Sequence, residues 1–245
     1  MLIANGIEVR NEQGIFPLIV FQKVIQSFKC IGTAFFINGL GIFVTARHVI
    51  EGEVNNTNML FILQYLSNGQ AVSRVVTDLC IHPYADIVVG KVGVARDPMT
   101  AKEVLYEIAP NCRLSFKKLE IGCSLMGFGY SKTKKLTDNN LHTFTFRGTW
   151  AEGNVNDYHI QGFSMLKNKC YQTDMRIDSG CSGGPVFKQG YVVGINSTSF
   201  EISHEDNPIS FITPVEYLLD LQLRFENETF SIRNMIQNGI VVAEF

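Results

Sequence analysis

The sequence is short of charge. Asp, Glu, Lys and Arg make up 18% of its 245 residues, and 21 basic against 23 acidic side chains leave a formal net charge of -2. Without a basic surplus there is no electrostatic footprint for a phosphate backbone or an anionic membrane, so neither nucleic acid nor membrane is expected as a partner. A long apolar run is also missing. The longest near the start, residues 15–21, is too short to span a bilayer, follows Glu8 and Glu12, and lacks a basic leader or small-residue cleavage site. Export is therefore not expected, and a cytoplasmic location is. Cys30, Cys80, Cys112, Cys123, Cys170 and Cys181 form no C-x-x-C pair and match no zinc template, and without an export signal they are expected to be reduced, most of them as small core hydrophobes. His82, His142, His159 and His204 have no ligand-like spacing, so no metal or cofactor is expected. No period of about 20–50 residues repeats and no low-complexity tract occurs, which disfavours solenoids and long disordered tails.

What is present is apolar residues in short pieces. Hydrophobic content is 46%, enough for a sizeable core, and 21 glycines punctuate aromatic and β-branched runs such as 33–37, 42–45 and 191–195. Runs of that length joined by turn residues read as strands of a sandwich or barrel, an all-β chain. They fall into two groups, about 16–92 and about 119–212. The stretch between them reads as a connector with one helical turn near residues 100–106. Residues 131–140 are polar and basic and read as an exposed, solvated loop. Thr213-Pro214 followed by an apolar-rich segment predicts a short C-terminal helix over residues 215–221. Residues 224–245 are too few for another domain and read as an extension that packs as a final strand, or else as an interaction or autoinhibitory segment.

The strongest local signal is Gly180-Cys181-Ser182-Gly183-Gly184-Pro185. A serine hydroxyl is a poor nucleophile, so a serine hydrolase needs a base at its Oγ and backbone N–H groups aimed at the developing oxyanion, and glycines give such a loop its turn freedom and access. The same residues fit the G-x-S-x-G elbow of α/β-hydrolases, but that fold needs an acid and then a histidine after the serine; here only His204 follows, in a strand-rich context. Upstream, Thr45-Ala46-Arg47-His48-Val49 ends an apolar strand with a histidine at a turn, and Asp86 immediately precedes the buried-strand pattern 87–89. Taken singly, His48 reads as a structural histidine and Asp86 as a turn residue or cap. Together the order His48, Asp86, Ser182, each at a strand edge, is the order of a chymotrypsin-type triad.

These pieces, with Gly32-Thr33-Ala34 before the histidine strand, residues 122–129, Gln172-Thr173-Asp174 with Ile177, and Gly194-Ile195-Asn196, resemble the trypsin-like (chymotrypsin-fold) serine proteases, most closely the HtrA-type branch. The resemblance implies two six-stranded antiparallel β-barrels in a protease domain spanning residues 1–223, with the active site in the cleft between them. It implies His48 as base, Asp86 as its orienting acid and Ser182 as nucleophile, with the amides of Gly180 and Ser182 as oxyanion hole. Ser197 stands where the family places a hydroxyl bonded to the triad aspartate, and Ser197, Thr198 and Ser199 would offer a strand edge to substrate. Arg176, Ile177 and Asn196 would border the specificity pocket. A guanidinium at its base would favour acidic side chains, whereas Ile177 filling the floor would turn Arg176 outward and favour small or medium apolar ones; the second is preferred. HtrA-type proteases usually carry a PDZ domain, for which this chain is too short. Zymogen-activated relatives place an aspartate where Cys181 stands, so cleavage activation is not expected, and gating by loop ordering or by a protein activator or inhibitor is. The expected function is a serine endopeptidase acting on protein or peptide substrates. The competing reading, a catalytically inert protease-fold binding module, is disfavoured because serine, histidine and loop glycines are all present.

Overall fold

The computed structural model describes all residues except 1, 5–6, 55–56, 105–109, 139–140, 201–207 and 226–227. His204 and part of the expected helical turn near 100–106 lie outside the described residues. Twelve strands build two closed antiparallel barrels. The first comprises β1 (Ile15–Gln22), β2 (Ser27–Phe36), β3 (Ile42–Thr45), β4 (Asn58–Tyr65), β5 (Ala71–Ile81) and β6 (Val88–Val92). They close in the order β1-β2-β3-β6-β5-β4. The second comprises β7 (Ser124–Gly129), β8 (Thr149–His159), β9 (Cys170–Thr173), β10 (Pro185–Lys188), β11 (Tyr191–Phe200) and β12 (Ile209–Pro214). Its order is β7-β8-β9-β12-β11-β10, closed by β10 on β7.

Period-two patterning puts alternate side chains inside each barrel. Along β4, Leu60, Ile62 and Gln64 are buried and their neighbours are not. The first barrel is filled by large rings: Phe16 packs on Phe36 at 4.5 Å and on Phe43 at 6.1 Å between centroids. Phe128, Tyr130 and Phe187 of the second barrel belong to that same apolar cluster, so the two barrels share a core at their junction. A smaller cluster, including Leu125, Val155, Met175, Ile177 and Val186, fills the second barrel.

Three connections differ from the sequence reading. Residues 131–140 are no plain loop: Lys134–Asp138 pairs with Leu141–Thr145 as a hairpin, with Lys135 Nζ donating to Ser27 Oγ at 2.7 Å. Its polar residues disguised the strands because neither face of such an arm need be apolar. In the connector, the turn comes earlier, at residues 97–101, where the Asp97 carboxylate accepts from the amides of Met99 and Thr100. The predicted helix after Pro214 is a 3₁₀ helix, Val215–Asp220. Beyond it a hairpin, Gln222–Phe225 with Glu228–Ser231, leads into the short α-helix Ile232–Gln237, capped by Ser231 Oγ accepting from the Asn234 amide. Leu223, Ile232, Met235 and Val241 join the shared core, and Ala243–Glu244 pairs in parallel with Leu114 and Ser115 of the connector. The end of the chain is thus packed as a final strand.

Candidate active site

The first barrel brings His48 and Asp86 together through its ladder. Strands β3 and β6 are neighbours with Thr45 opposite Val88, so the residues just after β3 and just before β6 emerge side by side. His48 lies in the first turn of a short helix, Arg47–Glu51, and its backbone amide and Nδ1 both lie 3.0 Å from Asp86 Oδ1, with Nδ1 also 3.0 Å from Oδ2. The carboxylate side chain is only 9% exposed and the imidazole 45%, so a buried acid backs an open ring. This leaves Nε2 as the ring nitrogen available to a partner in the cleft.

Two residues that sequence reasoning did not assign to the site hold the Asp86 loop. His82 is buried, and its Nδ1 accepts from the Ala85 amide at 3.0 Å, while burial pushes its pKa down. Asn168, in the second barrel, accepts the Asp86 amide on Oδ1 at 3.0 Å and donates from Nδ2 to Thr213 Oγ1 at 3.1 Å. No sequence signal marks Asn168, which stands between two lysines in a loop. Ser197 joins this chain of bonds differently from expectation. Its hydroxyl is bonded to Thr213 Oγ1 at 2.7 Å, so it reaches Asp86 through Thr213 and Asn168 instead of directly. Ser197 is the extra residue of a bulge in β11, which takes it off the regular ladder.

The Ser182 loop is built on left-handed glycines, with φ +93° at Gly180 and +81° at Gly183. A Cβ on Gly183 would collide with Thr45 Oγ1 and Thr33 O of the first barrel, so only glycine lets the loop dock there. Within it the Cys181 amide donates to Asp178 O, that of Gly183 to Asn196 O and that of Gly184 to Cys181 O. The amides of Gly180 and Ser182 have no acceptor among the described residues. Two unspent donors flanking a hydroxyl are what an anionic oxygen would need.

Ser182, His48 and Asp86 line one cleft of about 540 Å³, together with Ile177, Ser197, Thr198 and Ser199. Arg176 and Asn196 do not. Burial alternates along residues 175–177: Met175 and Ile177 are buried, and Arg176 turns outward, 73% exposed, onto Asp178 Oδ1 at 3.2 Å. Asn196 lies under the Ser182 loop, its Nδ2 3.3 Å from Cys181 O, and with Arg176 and Cys181 it lines a separate cavity of about 220 Å³. Cys181 is buried, which raises its thiol pKa.

The comparisons with known proteins bear on the family and the fold. A family model described as Trypsin matches residues 5–221. Among curated proteins, probable periplasmic serine endoproteases, DegP-like, from Pseudomonas putida strains F1 and W619 are 28% identical over 224 residues, 91% of this chain. The chain spans 39% of the length of those relatives. Among solved structures, the crystal structure of Deg5 superposes with a TM-score of 0.61 at 18% identity, covering 86% of this chain and 87% of that one. That likeness carries the fold, two barrels of the chymotrypsin type. With a matching model over most of its length and the fold to go with it, the chain belongs to the trypsin family.

Proposed function

We propose that the protein is a serine endopeptidase whose protease unit spans residues 1–223, with residues 224–245 as a packed extension. The observation that carries this reading is the buried Asp86 carboxylate 3.0 Å from His48 Nδ1, in the same cleft as Ser182 and its two unspent amides. Ser182 Oγ attacks the peptide carbonyl while His48 Nε2 takes its proton and then returns it to the leaving amine. Asp86 keeps the proton on Nδ1 and stabilises the imidazolium. The amides of Gly180 and Ser182 receive the oxyanion, a contribution of about 2.7–4 kcal/mol for each such donor. Water on the opposite course then hydrolyses the acyl-enzyme. Residues 197–199 pair with the substrate backbone, and buried Ile177 in the cleft favours small or medium apolar side chains at the residue before the cut.

Gating by loop ordering or by a protein activator or inhibitor belongs to the same reading, since Cys181 occupies the place of the aspartate that zymogen activation requires. Unstimulated digestion of unfolded casein at full rate would overturn it. A cytoplasmic site fits the six cysteines, all free thiols. The relatives are named periplasmic, and fractionation of the native host decides between the two compartments. For the activity itself the test is labelling with a fluorophosphonate probe. Label on the folded protein, absent from Ser182→Ala, is expected; folded protein that takes no label would make the chain an inert binding module.

A further inference from the structure

Thr33 lies in β2 of the first barrel and is fully buried. Strand β3 is too short to cover it: the β2–β3 ladder stops at Phe35 opposite Val44. Of the hydrogen-bonding positions left open at Thr33, the amide is taken from the other barrel and the carbonyl by a side chain at the end of β3. Its amide donates to Ser182 O at 2.9 Å, and its carbonyl accepts from Thr45 Oγ1 at 2.8 Å. The Thr33 hydroxyl donates to Gly180 O at 2.7 Å and accepts from the Tyr130 amide at 3.0 Å, so both of its roles are filled and its orientation is fixed. One side chain thereby grips the peptide that follows Gly180, while the same residue's backbone grips the peptide that follows Ser182.

We infer that Thr33 is a positioning residue that sets the oxyanion-binding conformation of the Ser182 loop from the opposite barrel. The inference rests on the assignment of Ser182 and the two amides made above. At Gly180 the chain has left-handed freedom, so nothing intrinsic to the residue keeps its amide aimed into the cleft. Anchoring the carbonyl of the same residue to Thr33 removes that freedom, and Tyr130, bonded through its own hydroxyl to Ile15 O at 2.8 Å, anchors Thr33 in turn. The binding of a substrate side chain uses other residues, so loss of the hydroxyl is expected to act on kcat and to leave KM alone.

Thr33→Val keeps the shape and removes only the hydroxyl. Thr33→Ser restores it. The full chain and both variants are titrated with a fluorophosphonate, and kcat and KM on a peptide ester are expressed per labelled site, so that a merely misfolded fraction drops out. Thr33→Val is expected to lose kcat at least tenfold, approaching the roughly 10²-fold of a lost oxyanion donor. KM stays within about twofold and Thr33→Ser within about threefold of wild type. A smaller loss in Thr33→Val, a change confined to KM, or an equal loss in Thr33→Ser overturns the inference. Should Thr33→Val not fold, Thr33→Ala is judged by the same thresholds. Wild type that takes no label removes the Ser182 assignment itself, a failure distinct from a labelled wild type matched by its valine variant.

Discussion

The first barrel closes as β1-β2-β3-β6-β5-β4 and the second as β7-β8-β9-β12-β11-β10, the same path walked twice, yet the two are packed and used differently. The first is filled by Phe16, Phe35, Phe36 and Phe43, whereas the second holds a smaller cluster of its own and carries the buried bonded series Asn168, Thr213 and Ser197. From the first come groups fixed by regular ladder geometry, His48 beside Asp86. From the second comes a glycine-built loop with donors left unspent. Identical topology thus supports opposite local designs, and the proposed function assigns a role to each: rigidity to hold an imidazole in one tautomer, and irregular backbone to receive an oxygen.

The largest expected effect tests the first barrel's share. Asp86→Asn keeps an acceptor for the His48 amide but can present an amide N–H to Nδ1, which favours the wrong tautomer. A loss of about 10⁴ in kcat is expected with the fold intact, measured on a peptide substrate beside thermal unfolding. Activity near wild type would mean that the first barrel is only scaffold.

A core substitution asks whether the barrels are separable. Phe43→Ala in the first barrel is expected to cost about 3–5 kcal/mol in urea unfolding. The single tryptophan, Trp150, sits in the second barrel against Phe128 and Phe187, at 5.0 and 5.8 Å between centroids, so its fluorescence reports that barrel. Because Phe128 and Phe187 also belong to the shared core, Trp150 is expected to report the same lowered midpoint as far-UV circular dichroism. A Trp150 midpoint that stays at the wild-type value would break the picture of one cooperative unit.

His82 gives the comparison a pH axis. Buried and neutral, with Nδ1 accepting the Ala85 amide, it has a pKa below its unfolded value near 6.5. The unfolded chain therefore takes up the proton first. Stability contributed by the neutral ring is complete above about pH 6.5 and is lost as pH falls below that value. His82→Asn offers a similar acceptor without titrating, so its melting temperature is expected to fall less than wild type between pH 7 and pH 5. Parallel curves would show that His82 does not govern the acid sensitivity of the Asp86 loop.

Much of this was legible in the sequence where function depends on local pattern. Short β-branched and aromatic runs marked both barrels, and the glycines around Ser182 together with strand ends at His48 and Asp86 marked the cleft. Less legible were features made by the meeting of distant segments. Asn168 looks like a loop residue until Asp86 is folded against it, and Thr33 looks like one more strand threonine until the second barrel docks on the open end of β2. The bond of Ser197 to Thr213 and the packing of Asn196 under the Ser182 loop were not foreseen, because a bulge and a turn-in of the side chain are invisible in spacing alone. The pairing of Lys134–Asp138 with Leu141–Thr145 escaped because their mostly polar sequence shows no regular alternation to read.

Arg176 carries the smallest expected effect and bears on whether the second barrel's rim sets specificity through charge or through shape. Burial alternates here: with Ile177 buried in the cleft wall, Arg176 faces the other way, pairing with Asp178 in solvent. An exposed ion pair of this kind contributes about 0–1 kcal/mol, so Arg176→Ala is expected to shift stability by no more than about 0.5 kcal/mol. Its kcat/KM on peptides with apolar residues before the cut should stay within about twofold of wild type. Ile177→Ala, by contrast, deepens the pocket and should move preference toward larger apolar side chains. A wild-type library profile dominated by cuts after Glu or Asp, lost in Arg176→Ala, would show that the guanidinium swings into the cleft when substrate binds, and that the second barrel selects by charge after all.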